Sequence, residues 1–144
     1  MKHYWNKPEE TALTIKDGWL YTGDIGRKDS SGNLYLIDRK KDLINVSGLK
    51  VYPAEIEPIL EKHPAIKEAA IFGSPDSIIG ERVQAAIVLK EGYQITKKEL
   101  IQFCKKHLAP FKIPETFIQL NALPRNATGK LLRRNLSLTT TETL

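Results

Sequence analysis

The chain of 144 residues has one cysteine, Cys104, and one methionine. A lone cysteine rules out an intramolecular disulfide and a cysteine-built metal cluster. It fits a reducing, cytoplasmic setting, with peripheral attachment to a membrane left open. No apolar run approaches the ~20 residues that cross a bilayer, and Met1-Lys2-His3-Tyr4-Trp5 holds no apolar signal core. There is no internal repeat and no low-complexity tract. Aromatic residues make up only 8% of the chain and do not alternate with Lys and Arg, so the stacking pattern of a nucleic-acid binder is missing. A Walker loop is missing too: Pro124 stands where its first glycine belongs, and Leu131 follows Gly129-Lys130 in place of Ser or Thr. His3, His63 and His107 stand in no catalytic pattern, and no metal site is expected.

What remains is an ordinary soluble composition, 41% hydrophobic and 27% charged, in a chain long enough for one domain with a real core. The net charge of +5 is unevenly placed. Residues 97–134 carry nine Lys or Arg against two Asp or Glu, and the rest of the chain is slightly acidic. A basic second half suggests an anionic partner.

The patterning predicts a short helix opening at Pro8-Glu9-Glu10-Thr11, where proline and acids suit a helix start. Residues 18–25 read as extended. Asp29-Ser30-Ser31-Gly32-Asn33 reads as the turn of a β-hairpin whose second strand is Leu34-Tyr35-Leu36-Ile37. Five charged residues, Asp38-Arg39-Lys40-Lys41-Asp42, then interrupt the apolar pattern. Charge wedged between strand-like runs is not buried without partners, so it marks an exposed corner. Residues 43–46 and 49–52 are short extended pieces. A helix over 53–62 follows, with Ile56, Ile59 and Leu60 on its core face; Pro58 should cost it a hydrogen bond and either kink it or limit its regular part. Residues 66–73 and 83–89 read as strands around a loop at 74–82. Thr96 to Glu99 spells a capping box ahead of Leu100, Ile101, Cys104 and Leu108 at helical spacing. Residues 116–120 are a further strand, and 131–136 a closing helix. This order predicts an α+β fold, a small mostly antiparallel sheet with helices packed on one face, preceded by a β-hairpin segment.

Three motifs carry a family resemblance: Gly18-Trp19-Leu20-Tyr21-Thr22-Gly23-Asp24; Asp38-Arg39-Lys40-Lys41-Asp42-Leu43-Ile44 with Ser47-Gly48 and Pro53-Ala54-Glu55-Ile56-Glu57; and Pro124-Arg125-Asn126-Ala127-Thr128-Gly129-Lys130. In this order and spanning nearly the whole chain, they resemble the C-terminal part of the adenylate-forming superfamily, and the wording around the second is most similar to fatty-acyl-CoA synthetases. The resemblance implies a two-step ligase. A carboxylate attacks the α-phosphate of ATP, giving acyl-AMP and pyrophosphate, and CoA then displaces AMP. It implies that Lys130 is the catalytic lysine of the first step, that Asp24 and Arg39 bind the nucleotide, and that Lys41 is the hinge. Ser47, Gly48 and Leu49 would line the path of CoA. The Mg²⁺ that accompanies ATP would be held mainly by a large N-terminal domain, whose phosphate loop and acyl pocket have no match here. On this reading residues 1–37 are the tail of that domain, 38–42 the hinge, 43–136 the C-terminal lid domain and 137–144 a frayed tail. The chain alone would be inactive.

Read without the resemblance, Asp24 is equally a turn aspartate, Arg39 a surface partner of Asp38 or Asp42, and Lys130 an ordinary Gly-Lys turn in a flexible loop. The alternatives at the level of function are an accessory domain acting in trans, another adenylating enzyme such as an aryl-CoA ligase or a peptide-synthetase adenylation domain, and a basic nucleic-acid module.

Overall fold

In the computed structural model, residues 1–136 are described, and the tail expected to fray lies outside them. The chain divides into two compact units, Met1–Lys41 and Asp42–Leu144.

The first unit begins with helix α1 (Pro8–Thr14), its proline in the first turn and Glu9 and Glu10 beside the positive end, as expected. Strands β1 (Ile15–Lys16) and β2 (Trp19–Leu20) then form a two-residue hairpin. Its turn is Asp17-Gly18, with φ of 51° and 79°. This corrects the reading of 18–25 as one extended run. Asp-Gly between short strands is a strong hairpin signal, because both residues accept positive φ. The expected hairpin follows as β3 (Asp24–Lys28) and β4 (Leu34–Arg39). Asp29 shapes its turn: the carboxylate accepts the Ser31 and Asn33 N–H groups at 2.9 Å and the Tyr35 hydroxyl at 3.0 Å. β4 continues two residues into the charged run before a 3-10 turn at Lys40–Asp42.

In the second unit, β5 (Ile44–Val46) and β6 (Leu49–Val51) form a hairpin that joins a sheet at one end. The sheet is built on β7 (Ile66–Asp76) and β8 (Gly80–Leu89), with β9 (Thr116–Gln119). β8 is central. It pairs antiparallel with β7 along its length, antiparallel with β5 at Val46↔Gly80, and parallel with β9. The loop expected at 74–82 shrinks to 77–79, because both strands run on through polar residues into the hairpin.

Period-2 alternation sorts the sheet's side chains onto two faces. Ile71, Ala85, Ile87 and Phe117 pack against Ile56 and Leu60 of α2 (Pro53–Glu61) and Leu100 and Cys104 of α3 (Lys97–Lys105). Helix α2 runs on through Pro58, which sits on its exposed side. Helix α3 starts at the expected box: Thr96 accepts the Glu99 N–H at 3.3 Å, and Glu99 accepts the Thr96 N–H at 2.8 Å. Burial pushes the Cys104 thiol up to about 11, so it is a protonated core residue. On the opposite face, Phe72, Ala86, Val88 and Ile118 are covered by Leu123, Leu131 and Leu136, the last from α4 (Arg133–Leu136). The helices therefore do not share one face. Leu123 to Leu136 crosses the other side of the sheet and covers alternate residues that would otherwise meet water.

Candidate functional site

In the first unit, Thr22-Gly23-Asp24 is ordered by its own polar groups. The Asp24 N–H donates to the Thr22 hydroxyl at 3.1 Å. Gly23, at φ 77°, turns the chain into β3, and its carbonyl accepts the Lys40 N–H at 2.8 Å. Asp24 and Arg39 are direct cross-strand partners. Arg39 Nε lies 3.4 Å from Asp24 Oδ1, with both side chains partly exposed. Arg39 thus faces Asp24, while the Asp38 carboxylate accepts the Arg39 backbone N–H at 2.7 Å. The result is an open corner with two functions side by side: a carboxylate that accepts from hydroxyls and a planar fork that donates to anionic oxygen.

Lys41 sits in the 3-10 turn, exposed, as the last residue of the first unit.

In the second unit, Ser47 and Gly48 are the two turn residues of the β5–β6 hairpin, at φ 49° and 86°. Paired positive φ is the geometry that fits strand twist in a two-residue loop. Beyond its chain neighbours, no heavy atom of the described residues lies within 4 Å of a Cβ built on Gly48, so backbone conformation, not space, is what calls for glycine there. Two bonds hold the hairpin against the β7–β8 turn: the Ser47 N–H donates to the Ile79 carbonyl at 2.7 Å, and the Asn45 N–H to the Glu81 carboxylate at 2.7 Å. Glu81 lies across Gly73, where a Cβ would approach its Oε1 at 2.6 Å. Leu49 follows, half exposed. Asp76 shapes the far turn. The Ile79 N–H, the Arg82 guanidinium and the Ile78 N–H, in that order of effect, hold its carboxyl down at about 2.

Lys130 lies in the expected glycine-containing loop, which closes as a small hairpin. Arg125 and Leu131 form an antiparallel bridge, and the Asn126 N–H donates to the Lys130 carbonyl at 2.9 Å. The Asn126 side-chain oxygen accepts from the Lys130 N–H and the Thr128 hydroxyl at 2.8 Å and from the Thr128 N–H at 3.1 Å. Gly129 closes the turn at φ 82°. Arg125 braces it, donating to the Gly129 carbonyl at 3.0 Å and to Glu68 of β7 at 2.6 Å. The Lys130 side chain is exposed and has no ion pair or hydrogen bond among the described residues. The result is an exposed cation on a hydrogen-bonded backbone turn.

The basic second half is not a uniform anion surface. Lys112 pairs with Glu55, Arg125 with Glu68, and Arg133 with Asp42 and Glu57. Those acids lie outside the basic stretch, so the asymmetry along the sequence partly cancels in space. Sequence reasoning passed over Arg133 and Asn126. Asn126 had a signal, an Asx-type residue two before Thr128 in a glycine turn. Arg133 had none, since its partners are far away in sequence. Among the described residues, no group of three or more His, Cys, Asp or Glu is placed to hold a metal ion.

The family model for the AMP-binding enzyme C-terminal domain matches residues 55–130. The chain belongs to that family, the C-terminal domains of adenylate-forming enzymes. It is 49% identical over 136 residues to a long-chain-fatty-acid–CoA ligase of Bacillus subtilis, covering 94% of this chain and 24% of that protein. Among solved structures, o-succinylbenzoate-CoA synthetase from Bacillus subtilis, in complex with the acyl-adenylate intermediate, matches at a TM-score of 0.91 and 42% identity. That match covers all of this chain and 29% of the other. The same synthetase in complex with ATP and magnesium ion matches at 0.85 and 43% identity, over 94% of this chain and 28% of the other. The chain therefore spans about a quarter of the length of the relatives it matches.

Proposed function

We propose that this chain is the C-terminal part of an AMP-forming acyl-CoA synthetase, working with a large N-terminal domain that holds ATP, Mg²⁺ and the carboxylic acid. The observation that carries this is the placement of Lys130. A cation with no ion pair among the described residues, on a braced backbone, is suited to enter an anionic site presented by another body. During adenylation it meets the acyl carboxylate and the α-phosphate as negative charge shifts between them. A donor aimed at developing charge is worth about 3–4 kcal/mol in the transition state. Phosphoryl-type chemistry asks the protein for such positioning more than for covalent help.

Asp24 and Arg39 serve the same nucleotide: the carboxylate accepts ribose hydroxyls, and the guanidinium donates to ribose or phosphate oxygen. The division of the chain after Lys41 supports a hinge there. Rotation about it would replace Lys130 with the Ser47-Gly48-Leu49 hairpin tip, whose exposed backbone and apolar Leu49 suit the pantetheine arm of CoA. With no metal-holding cluster among the described residues, we assign the Mg²⁺ ligands to the large domain. The first unit supports the need for that domain. Trp5, Leu13, Trp19, Leu34 and Leu36 are each more than two-thirds exposed, an apolar surface that a soluble chain ordinarily covers. The acid itself is fatty or aromatic according to the pocket of that domain; relatives of both kinds match this chain.

The test is Lys130→Ala in the ligase that carries this chain. Adenylation, followed as ATP–pyrophosphate exchange, should fall by roughly 10²–10³-fold. Thioester formation from supplied acyl-adenylate should stay at the wild-type rate. Equal loss in both half-reactions would remove Lys130 from its assigned role.

A further inference from the structure

Arg133 opens α4 just after the Lys130 hairpin, and no motif read from the sequence includes it. Its side chain is four-fifths shielded from solvent, and all three guanidinium nitrogens face partners. Nη1 and Nη2 grip the Glu57 carboxylate of α2, the Nη2 bond at 3.1 Å. Nη1 also donates to the Ile71 carbonyl at 3.0 Å, and Nε stands 3.5 Å from Asp42 Oδ2. Glu57 in turn accepts the Ile71 N–H at 2.8 Å.

Half of this network has an evident structural purpose. β7 is an edge strand, and Glu57 with Arg133 satisfies the outward N–H and C=O of Ile71, which blunts the edge. Asp42 is not needed for that. Glu57 already supplies the charge that Arg133 requires, and Asp42 adds a second, largely shielded carboxylate. What Asp42 does provide is a connection from the first residue after Lys41 to the base of the Lys130 hairpin.

We propose that Arg133 is a positioning residue that ties the Lys130 hairpin to Asp42, so that Lys130 follows the segment turning after Lys41; this rests on the roles of Lys130 and Lys41 proposed above. The tether acts on one half-reaction. Ser47 to Leu49 follow Asp42 directly along the chain and move with it by covalent connection. Lys130 lies near the other end of the domain sequence; Arg125 anchors its hairpin on Glu68 of β7, and Arg133 adds the link to Asp42. A catalytic cation displaced by about an ångström loses on the order of 10²-fold in rate.

The experiment uses Asp42→Ala, Arg133→Gln and the double variant in the full ligase, with the two half-reactions measured separately. Asp42→Ala leaves Arg133 on Glu57 and Ile71, so the edge of β7 stays closed. We expect its adenylation kcat to fall about tenfold or more with the KM for ATP little changed, and thioester formation from supplied acyl-adenylate to hold. The double variant should adenylate no worse, per folded enzyme, than Arg133→Gln alone, because both changes cut one link. Wild-type adenylation in Asp42→Ala, equal loss in both half-reactions, or additive losses in the double variant would overturn the tether. If Lys130→Ala loses adenylation while Asp42→Ala does not, the tether alone fails. If Lys130→Ala keeps adenylation, the role of Lys130 fails first, and the tether with it.

Discussion

Asn126 uses one side-chain oxygen to accept from Thr128 twice and from Lys130 once, which makes the lysine's backbone part of a knot. Each such bond is worth about 0.5–1.5 kcal/mol net, so Asn126→Ala should cost modest stability, on the order of 1–2 kcal/mol. In the role proposed for Lys130, it should cost adenylation more than that stability loss suggests, since the lysine would sample directions away from the phosphate. Asn126→Asp keeps the acceptor oxygen and should recover most of the loss. A melting curve together with exchange rates for both variants checks this; an Asn126→Ala enzyme adenylating at the wild-type rate would show the knot to be idle. At this scale the sequence was legible where a residue's partner is local. Gly23, Gly48 and Gly129 stand in turns as their neighbours imply. The partner of Arg39 was not legible, because nearby acids compete on equal terms in the sequence. Only the pairing of β3 with β4 selects Asp24.

Elements were read well where period and chemistry agree. The capping box before α3 and the apolar stripe of α2 each name one structure. The β7–β8 hairpin was underestimated because its outer ends are polar. Ser74, Asp76, Glu81 and Arg82 look like loop residues, yet all four lie in the ladder: Ser74 opposite Arg82, Glu81 opposite Pro75 and Asp76 opposite Gly80, with Arg82 also bonding the Asp76 carboxylate. The side of the sheet taken by α4 was not legible either. It depends on which alternate residues of β7 and β8 remain uncovered, a property of the assembled sheet. The turn of this hairpin yields a pH prediction. The Asp76 carboxyl lies below its ordinary 3.8, at about 2, because the Ile79 N–H, Arg82 and the Ile78 N–H favour its charged form. A depressed folded-state value means that the stabilisation is present above pH ~4 and is lost as pH falls through about 2. Asp76→Asn should therefore flatten the fall of melting temperature across that window, and the Ser47–Ile79 contact should loosen with it. An unchanged acid profile would contradict the assignment.

For the whole molecule, the feature that matters is a chain in two compact units, the first of which leaves most of its large apolar side chains exposed. That arrangement suits a moving part. We expect the isolated chain to show no ATP–pyrophosphate exchange and only weak affinity for ATP, and robust exchange by it alone would refute the division of labour. The motif order points the same way, because three short stretches with distinct chemistry each occupy a turn or corner. The acyl pocket was not legible, since the residues that would shape it have no match in this chain.

Lys130→Ala and Lys41→Pro in the complete ligase, each assayed in both half-reactions, separate the two proposed roles. Proline fixes φ and removes an N–H at the proposed pivot. Lys41→Pro should therefore leave adenylation nearly intact and depress thioester formation, the reverse of Lys130→Ala. If both variants lose the same half-reaction, Lys130 and the hairpin tip are not exchanged by rotation at Lys41.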